Sequence, residues 1–223
     1  MRWPLRVAGL LFVLALPAFF LSVSLGGAVN SLSLYRYGFD KYQKTDLERA
    51  QLDAVARELI RYFNSGEEAI QITVESGGKQ VALFSQREVI HLRDVQQLIQ
   101  LDYRVMWGAS SYLGAFIVGL GVWKRRRLWS HLARMALWGS GVTLVLMLAL
   151  GLAMLLGFDR FFLSFHQVSF ANEYWLLPED AALVNLFPEA FFRDAALFVA
   201  GAVLAEAIMV GGAALAIMRK ARR

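Results

Sequence analysis

The residues able to move a proton near neutral pH sit in two polar stretches that are far apart in the chain. The stretch 165–192, reading FHQVSFANEYWLLPEDAALVNLFPEAFF, holds His166, Asn172, Tyr174, Trp175, two prolines and the acids Glu173, Glu179, Asp180 and Glu189. The other stretch holds His91, with Arg87, Arg93 and Asp94 close by. Histidine is the side chain most easily poised to exchange protons at neutral pH. Two of them in different polar segments make a constellation for acid–base work on lipid. Asp94, three residues after His91, shares a helical face with it. It orients His91, or it pairs with Arg87 or Arg93. Asn172 donates to an oxyanion or caps a turn. Tyr174 and Trp175 are most economically read as an interfacial aromatic belt. Glu189 pairs with Arg193 on this reading, and Arg193 and Asp194 snorkel at the start of a span. The third histidine, His131, lies beside a basic run and reads as an interfacial side chain.

The elements that must position these groups are set by hydropathy. Of the 223 residues, 57% are hydrophobic, above the roughly 45–50% of a soluble domain. Mean hydropathy is +0.47. A bilayer core of about 30 Å needs about 20 mostly apolar helical residues. Four segments qualify, at about 7–29, 106–123, 135–158 and 195–218. The first follows Arg2 and Arg6 as a signal peptide would. Its apolar run exceeds a signal h-region and its cleavage site is weak, so it reads as an uncleaved anchor. The expected fold is mainly α: a polytopic membrane protein with four transmembrane helices and a small α+β cap. The expected divisions are 1–29, the first span; 30–105, the cap; 106–158, two spans and a basic loop; 159–194, an active-site loop; and 195–223, the last span and a basic tail.

Charge then orients the chain. The N-terminus, the 124–134 link and the C-terminus hold 11 basic residues and no acid, whereas 30–105 and 159–194 hold 12 basic residues and 17 acids. The positive-inside rule puts both termini in the cytoplasm and both polar regions outside. The pI near 9.7 therefore reports topology and headgroup contact, not a nucleic-acid footprint. The remaining acid, Glu206, lies within the fourth span, where a carboxyl is costly and often functional, or else bonds to another span.

Local signals shape the cap. Thr45–Glu48 reads as a capping box before a helix whose apolar residues run from Leu47 to Phe63 and which ends near Asn64. Two short runs flanking Ser76-Gly-Gly-Lys79 read as a β-hairpin. Ser85–Glu88 is a second capping box, and the helix it starts runs unbroken into the second span.

Several chemistries are missing. With no cysteine there is no disulfide, thiolate metal site or catalytic thiol. No GxSxG or HExxH motif occurs. No tight ligand spacing supports a zinc site built from His91, Asp94 and His166.

Taken together, Phe84-Ser85-x-Arg87-Glu88-Val-x-His91-Leu-x-Asp94-Val95, then Phe165-His166-x-x-x-Phe170-x-Asn172-x-x-Trp175-x-Leu177-Pro178-x-Asp180, then Leu186-Phe187-Pro188-Glu189-x-Phe191-Phe192, resemble the bacterial lipoprotein intramolecular transacylase family over nearly the whole chain. The resemblance implies acyl transfer within a diacylated lipoprotein in the outer leaflet of a bacterial cell membrane. The sn-2 chain would move from its glycerol ester to the α-amino group of the N-terminal cysteine, giving a lyso-form lipoprotein. On that reading His166 is the general base and acid, and His91, oriented by Asp94, stabilises charge or relays the proton. Asn172 and Arg93 contact the carbonyl or the peptide, and Tyr174, Trp175 and Glu189 complete the substrate contacts. No cofactor, metal or nucleic acid is needed, and membrane lipid is the surrounding partner. Competing readings are another membrane acyltransferase or lipid hydrolase, a non-catalytic module whose cap binds a partner protein, and a transporter.

Overall fold

The computed structural model describes residues 3–76, 78–123 and 128–221. The basic residues Arg2, Lys124–Arg127, Arg222 and Arg223 and the turn residue Gly77 lie outside the described residues. The order is α1 (Trp3–Val29), α2 (Leu32–Tyr42), α3 (Arg49–Phe63), β1 (Thr73–Ser76), β2 (Lys79–Ala82), α4 (Gln86–Trp123), α5 (Leu128–Leu156), α6 (Phe158–Ser169), α7 (Ala182–Leu186) and α8 (Glu189–Lys220). Among the described residues, four helices are long and apolar enough to cross a membrane: Leu5–Val29, Gln86–Val122, Trp129–Leu156 and Glu189–Lys220. The protein is thus mainly α and multi-pass, with one small antiparallel hairpin.

The chain forms two compact units. One comprises Met1–Leu25, Asp102–Leu155 and Phe198–Arg223. Its core is Phe12, Leu16 and Phe20 of α1 with Leu113, Met147, Val203 and Ala207. In lipid, helices associate through close packing at small residues, because burial from water supplies no force there. Gly139 admits Leu16 in this way: a Cβ at that position would lie 2.8 Å from Leu16 Cδ2. Two polar side chains inside the unit bond across to other helices. The Tyr112 hydroxyl donates to the Ala8 carbonyl at 2.7 Å, and Ser24 Oγ donates to Glu206 Oε2 at 3.3 Å. Glu206 thus makes the hydrogen bond to another span that one of its two sequence readings expected.

The other unit, Gly26–Leu101 with Leu156–Leu197, carries the polar chemistry. The helix α3 buries Leu52, Val55, Ala56, Leu59, Tyr62 and Phe63 on one stripe. It starts later than the Thr45 box implies. Glu48 is its N-cap, boxed with Gln51, and both Thr45 N and Thr45 Oγ1 donate to Gln43 Oε1 instead. The Ser85–Glu88 box does form, and α4 continues from it without a break.

Two helices go beyond what the sequence reading expected. Residues 32–42 form the helix α2, capped by Ser31. Residues 158–169 form α6, so His166 stands on a helix where a loop was expected. Gly38 of α2 lets the Phe191 ring come so close that a Cβ there would meet it at 2.3 Å. Nearby, Asp194 Oδ2 accepts from the Tyr37 and Tyr42 hydroxyls, both at 2.6 Å, and from Lys41 Nζ at 2.9 Å. Asp194 is therefore tied to α2, which corrects its reading as a snorkelling side chain.

Candidate active site

His166 lies in the last turn of α6, where its ring reaches back along its own helix. Its Nδ1 is 2.8 Å from the Phe162 carbonyl oxygen, four residues earlier. A carbonyl can only accept, so Nδ1 carries the proton. In the neutral ring, Nε2 is then left with an unshared pair. Four aromatic rings surround the imidazole, with centroids 4.3 Å (Phe162), 5.3 Å (Trp175), 5.5 Å (Phe170) and 5.6 Å (Phe165) away. Burial among them lowers the pKa of His166 below its ordinary 6.5, and the Phe162 carbonyl opposes this in part.

His91 comes from α4, one turn after the capping box. Its ring centroid is 6.0 Å from that of His166, and Phe170 stands edge-on to it at 5.1 Å. Only 7% of His91 is exposed. Its Nδ1 has no hydrogen-bond partner among the described residues. The two imidazoles from distant stretches thus meet, as the sequence reading required.

Asp94 does not hold His91. Its Oδ2 accepts from Asn172 Nδ2 at 2.8 Å, and it forms no ion pair among the described residues. Asn172 Oδ1 in turn accepts from the Tyr174 backbone N–H at 3.0 Å, an Asx turn. Both open readings of Asn172 are thereby narrowed: it caps a turn and anchors that turn to Asp94. Trp175, one residue beyond, packs on His166 rather than standing free in an aromatic belt.

Two of the expected substrate contacts, Arg93 and Glu189, make no hydrogen bond to either histidine among the described residues. Arg93 follows His91 by two positions, which places it about 200° round the helix. That is the side of Gln96 and Gln100, whose amides bond to the end of α3. Glu189 is exposed in the first turn of α8. Its expected partner Arg193 lies instead 3.9 Å from Asp194. A carboxylate suits a helix start, where the free N–H groups point.

Two residues matter more than their sequence reading suggested. Arg87 is a turn before His91 and so faces the same way. It donates to the Glu173 carbonyl and stacks over Tyr174, 5.8 Å from the ring centroid. Glu88 is 3% exposed. Its carboxylate accepts from Ser85 N at 2.8 Å, Ser85 Oγ at 2.7 Å and Leu183 N at 2.7 Å. It pins α7 beside the start of α4. The capping box announced the bond from Ser85 N, but nothing local signalled the one from Leu183 N. A separate recess of about 390 Å³ between α3 and the hairpin, lined by Gln51, Glu58, Glu75 and Gln80 among others, contains no histidine. It offers no base poised near neutral pH, so the histidine pair is the better candidate.

Residues 10–192 match the family model described as lipoprotein intramolecular transacylase Lit. A protein of Aquifex aeolicus (strain VF5), described as uncharacterized, is 26% identical over 165 residues, which cover 74% of this chain and 68% of that protein. The in meso structure of the membrane integral lipoprotein intramolecular transacylase Lit from Bacillus cereus is similar with a TM-score of 0.77 and 18% identity, covering 100% of this chain and 99% of that one. A histidine-to-alanine variant of the same protein gives 0.75 and 19%, covering 98% and 95%. At such identities the structures speak for the fold, and the family model speaks for the family.

Proposed function

This chain belongs to the lipoprotein intramolecular transacylase (Lit) family, and we propose that His166 and His91 are the pair that carries its reaction. The protein is a membrane acyltransferase acting on lipoprotein. The reaction we assign is the shift of the sn-2 acyl chain from the glycerol oxygen of a diacylglyceryl-cysteine to that cysteine's own α-nitrogen. The product is a lyso-form lipoprotein with one free hydroxyl.

The amine attacks the ester carbonyl, and His166 Nε2 takes the proton that the nitrogen sheds as the N–C bond forms. The C–O bond then breaks, and the same proton passes to the departing glycerol oxygen. The proton count closes with no co-reactant. His91, buried 6.0 Å away with an unshared ring position, stabilises the oxyanion or relays the proton. Amine and ester belong to one molecule, so holding them in register supplies most of what a bimolecular attack would lack. Asp94 and Asn172 act as positioning residues: they fix the turn that sets Trp175 against His166. Tyr174 and Trp175 remain candidates for the substrate's surroundings, and the placement of Arg93 and Glu189 argues against their direct contact. The excess of basic residues in the termini and the 124–134 link supports cytoplasmic termini and a site facing the outer leaflet.

The observation that carries this reading is the Nδ1 bond to the Phe162 carbonyl, because it commits Nε2 to the role of base. Replacing His166 by Gln or Ala should lower lyso-form product by roughly 10²–10⁴-fold, the usual contribution of a general acid–base group. Mass spectrometry of lipoprotein N-termini in cells provides the measurement. Undiminished product would remove His166 from the mechanism, and free fatty acid in place of N-acyl product would point to hydrolysis.

A further inference from the structure

We propose that the Asp94 carboxylate docks the substrate's α-ammonium group, holding it in place as a cation until its extra proton is lost to bulk water; the neutral amine then attacks, and His166 takes the proton shed in that attack. The inference rests on the transacylase reading and adds a binding site for one chemical group, a primary ammonium. Asp94 is half-buried, and only its Oδ2 is engaged, by the Asn172 amide at 2.8 Å. Its Oδ1 accepts no hydrogen bond among the described residues.

The nearby cations are turned elsewhere. Arg87 is held by the Glu173 carbonyl and the Tyr174 ring, and Arg93 lies round the helix toward Gln96. Asp94 follows His91 by three residues on α4, so the two side chains share a helix face. His91 itself is 7% exposed with Nδ1 unpartnered. Burial keeps His166 neutral at pH 7. Among the described residues no ion pair joins the Asp94 carboxylate to a cation, and aromatic rings wall the two histidines beside it. A half-buried carboxylate in such surroundings favours a cation. The substrate supplies one, since an α-amino group with a pKa near 8 is mostly protonated at neutral pH.

The test uses the purified full-length protein in nanodiscs. The probes are two diacylglyceryl-cysteine lipopeptides with ether links in place of both esters, so that no transfer occurs. One carries the free α-amine and the other an α-hydroxyl of matching size. The wild type should bind the amine form about tenfold more tightly, as suits a hydrogen bond to a charged group. Asp94→Asn keeps an acceptor for Asn172 and should abolish the preference while retaining affinity for the hydroxyl form. Asn172→Ala keeps the charge and should retain the preference. Equal binding of the two probes by the wild type, or a preference that survives in Asp94→Asn, overturns the ammonium site. The wild-type comparison decides even where a variant fails to fold. A separate assay with the ester substrate tells the two readings apart: lyso-form product without amine preference sinks only the docking site, whereas absence of product sinks the transacylase reading.

Discussion

His166, the base we propose, is prepared for that role by its own helix. Its Nδ1 proton is committed to the Phe162 carbonyl, and its burial disfavours the imidazolium. The sign follows directly. A lowered pKa means the neutral, basic form persists as pH falls through 6.5. With the ionisation of the substrate amine factored out, the acid limb of kcat/KM should therefore inflect below pH 6.5. An inflection at 7 or above would contradict this. Trp175→Ala removes one wall at 5.3 Å, admits water, and should move that limb back toward the ordinary value of about 6.5. A second residue-scale expectation concerns Tyr62, which is fully buried with a hydroxyl that finds no partner among the described residues. A buried unsatisfied hydroxyl is a liability of about 1–3 kcal/mol. Tyr62→Phe should raise the thermal unfolding midpoint in detergent, and a fall would show that the hydroxyl has a partner in the folded protein. At this scale the histidines were legible because their side chains titrate wherever they stand.

Among the elements, α4 was the easiest to foresee, because the Ser85–Glu88 box and the uninterrupted apolar pattern agree. The helices α2 and α6 were missed for a physical reason. Short helices gain little from their own backbone bonds and are stabilised by packing, and the partners that stabilise α2 lie far along the sequence. Phe191 fills the space over Gly38, and Asp194 gathers Tyr37, Tyr42 and Lys41. Gly38→Ala drives a methyl to within 2.3 Å of Phe191 Cδ2. Overpacking of this kind costs about 1–3 kcal/mol. The variant should unfold at a lower temperature, and Phe191→Leu in the same chain should recover part of the loss. A Gly38→Ala protein with an unchanged midpoint would mean that the α2 packing is looser than described. The misplaced start of α3 has the same origin. Thr45 and Glu48 both satisfy the pattern of a cap, and the Gln43 side chain takes Thr45 out of contention.

At the scale of the whole molecule, four helices among the described residues are long and apolar enough to span a membrane. The proposed orientation makes a direct prediction. A reporter that works only in the cytoplasm should be active when fused after Arg223 and silent when inserted at Gly66, and the reverse would invert the topology. Hydropathy, charge placement and the types of two histidines were sufficient, from the sequence alone, to give the membrane class, the spans and the residues with acid–base capacity. These are properties of local composition, and each segment partitions by its own transfer free energy. Tertiary structure decided which groups meet: that Asp94 holds Asn172 and not His91, that Trp175 walls His166, and that Glu88 pins α7 across 95 residues of chain. Such pairings depend on hydrogen-bond geometry and close packing between segments remote in sequence, which no local pattern encodes.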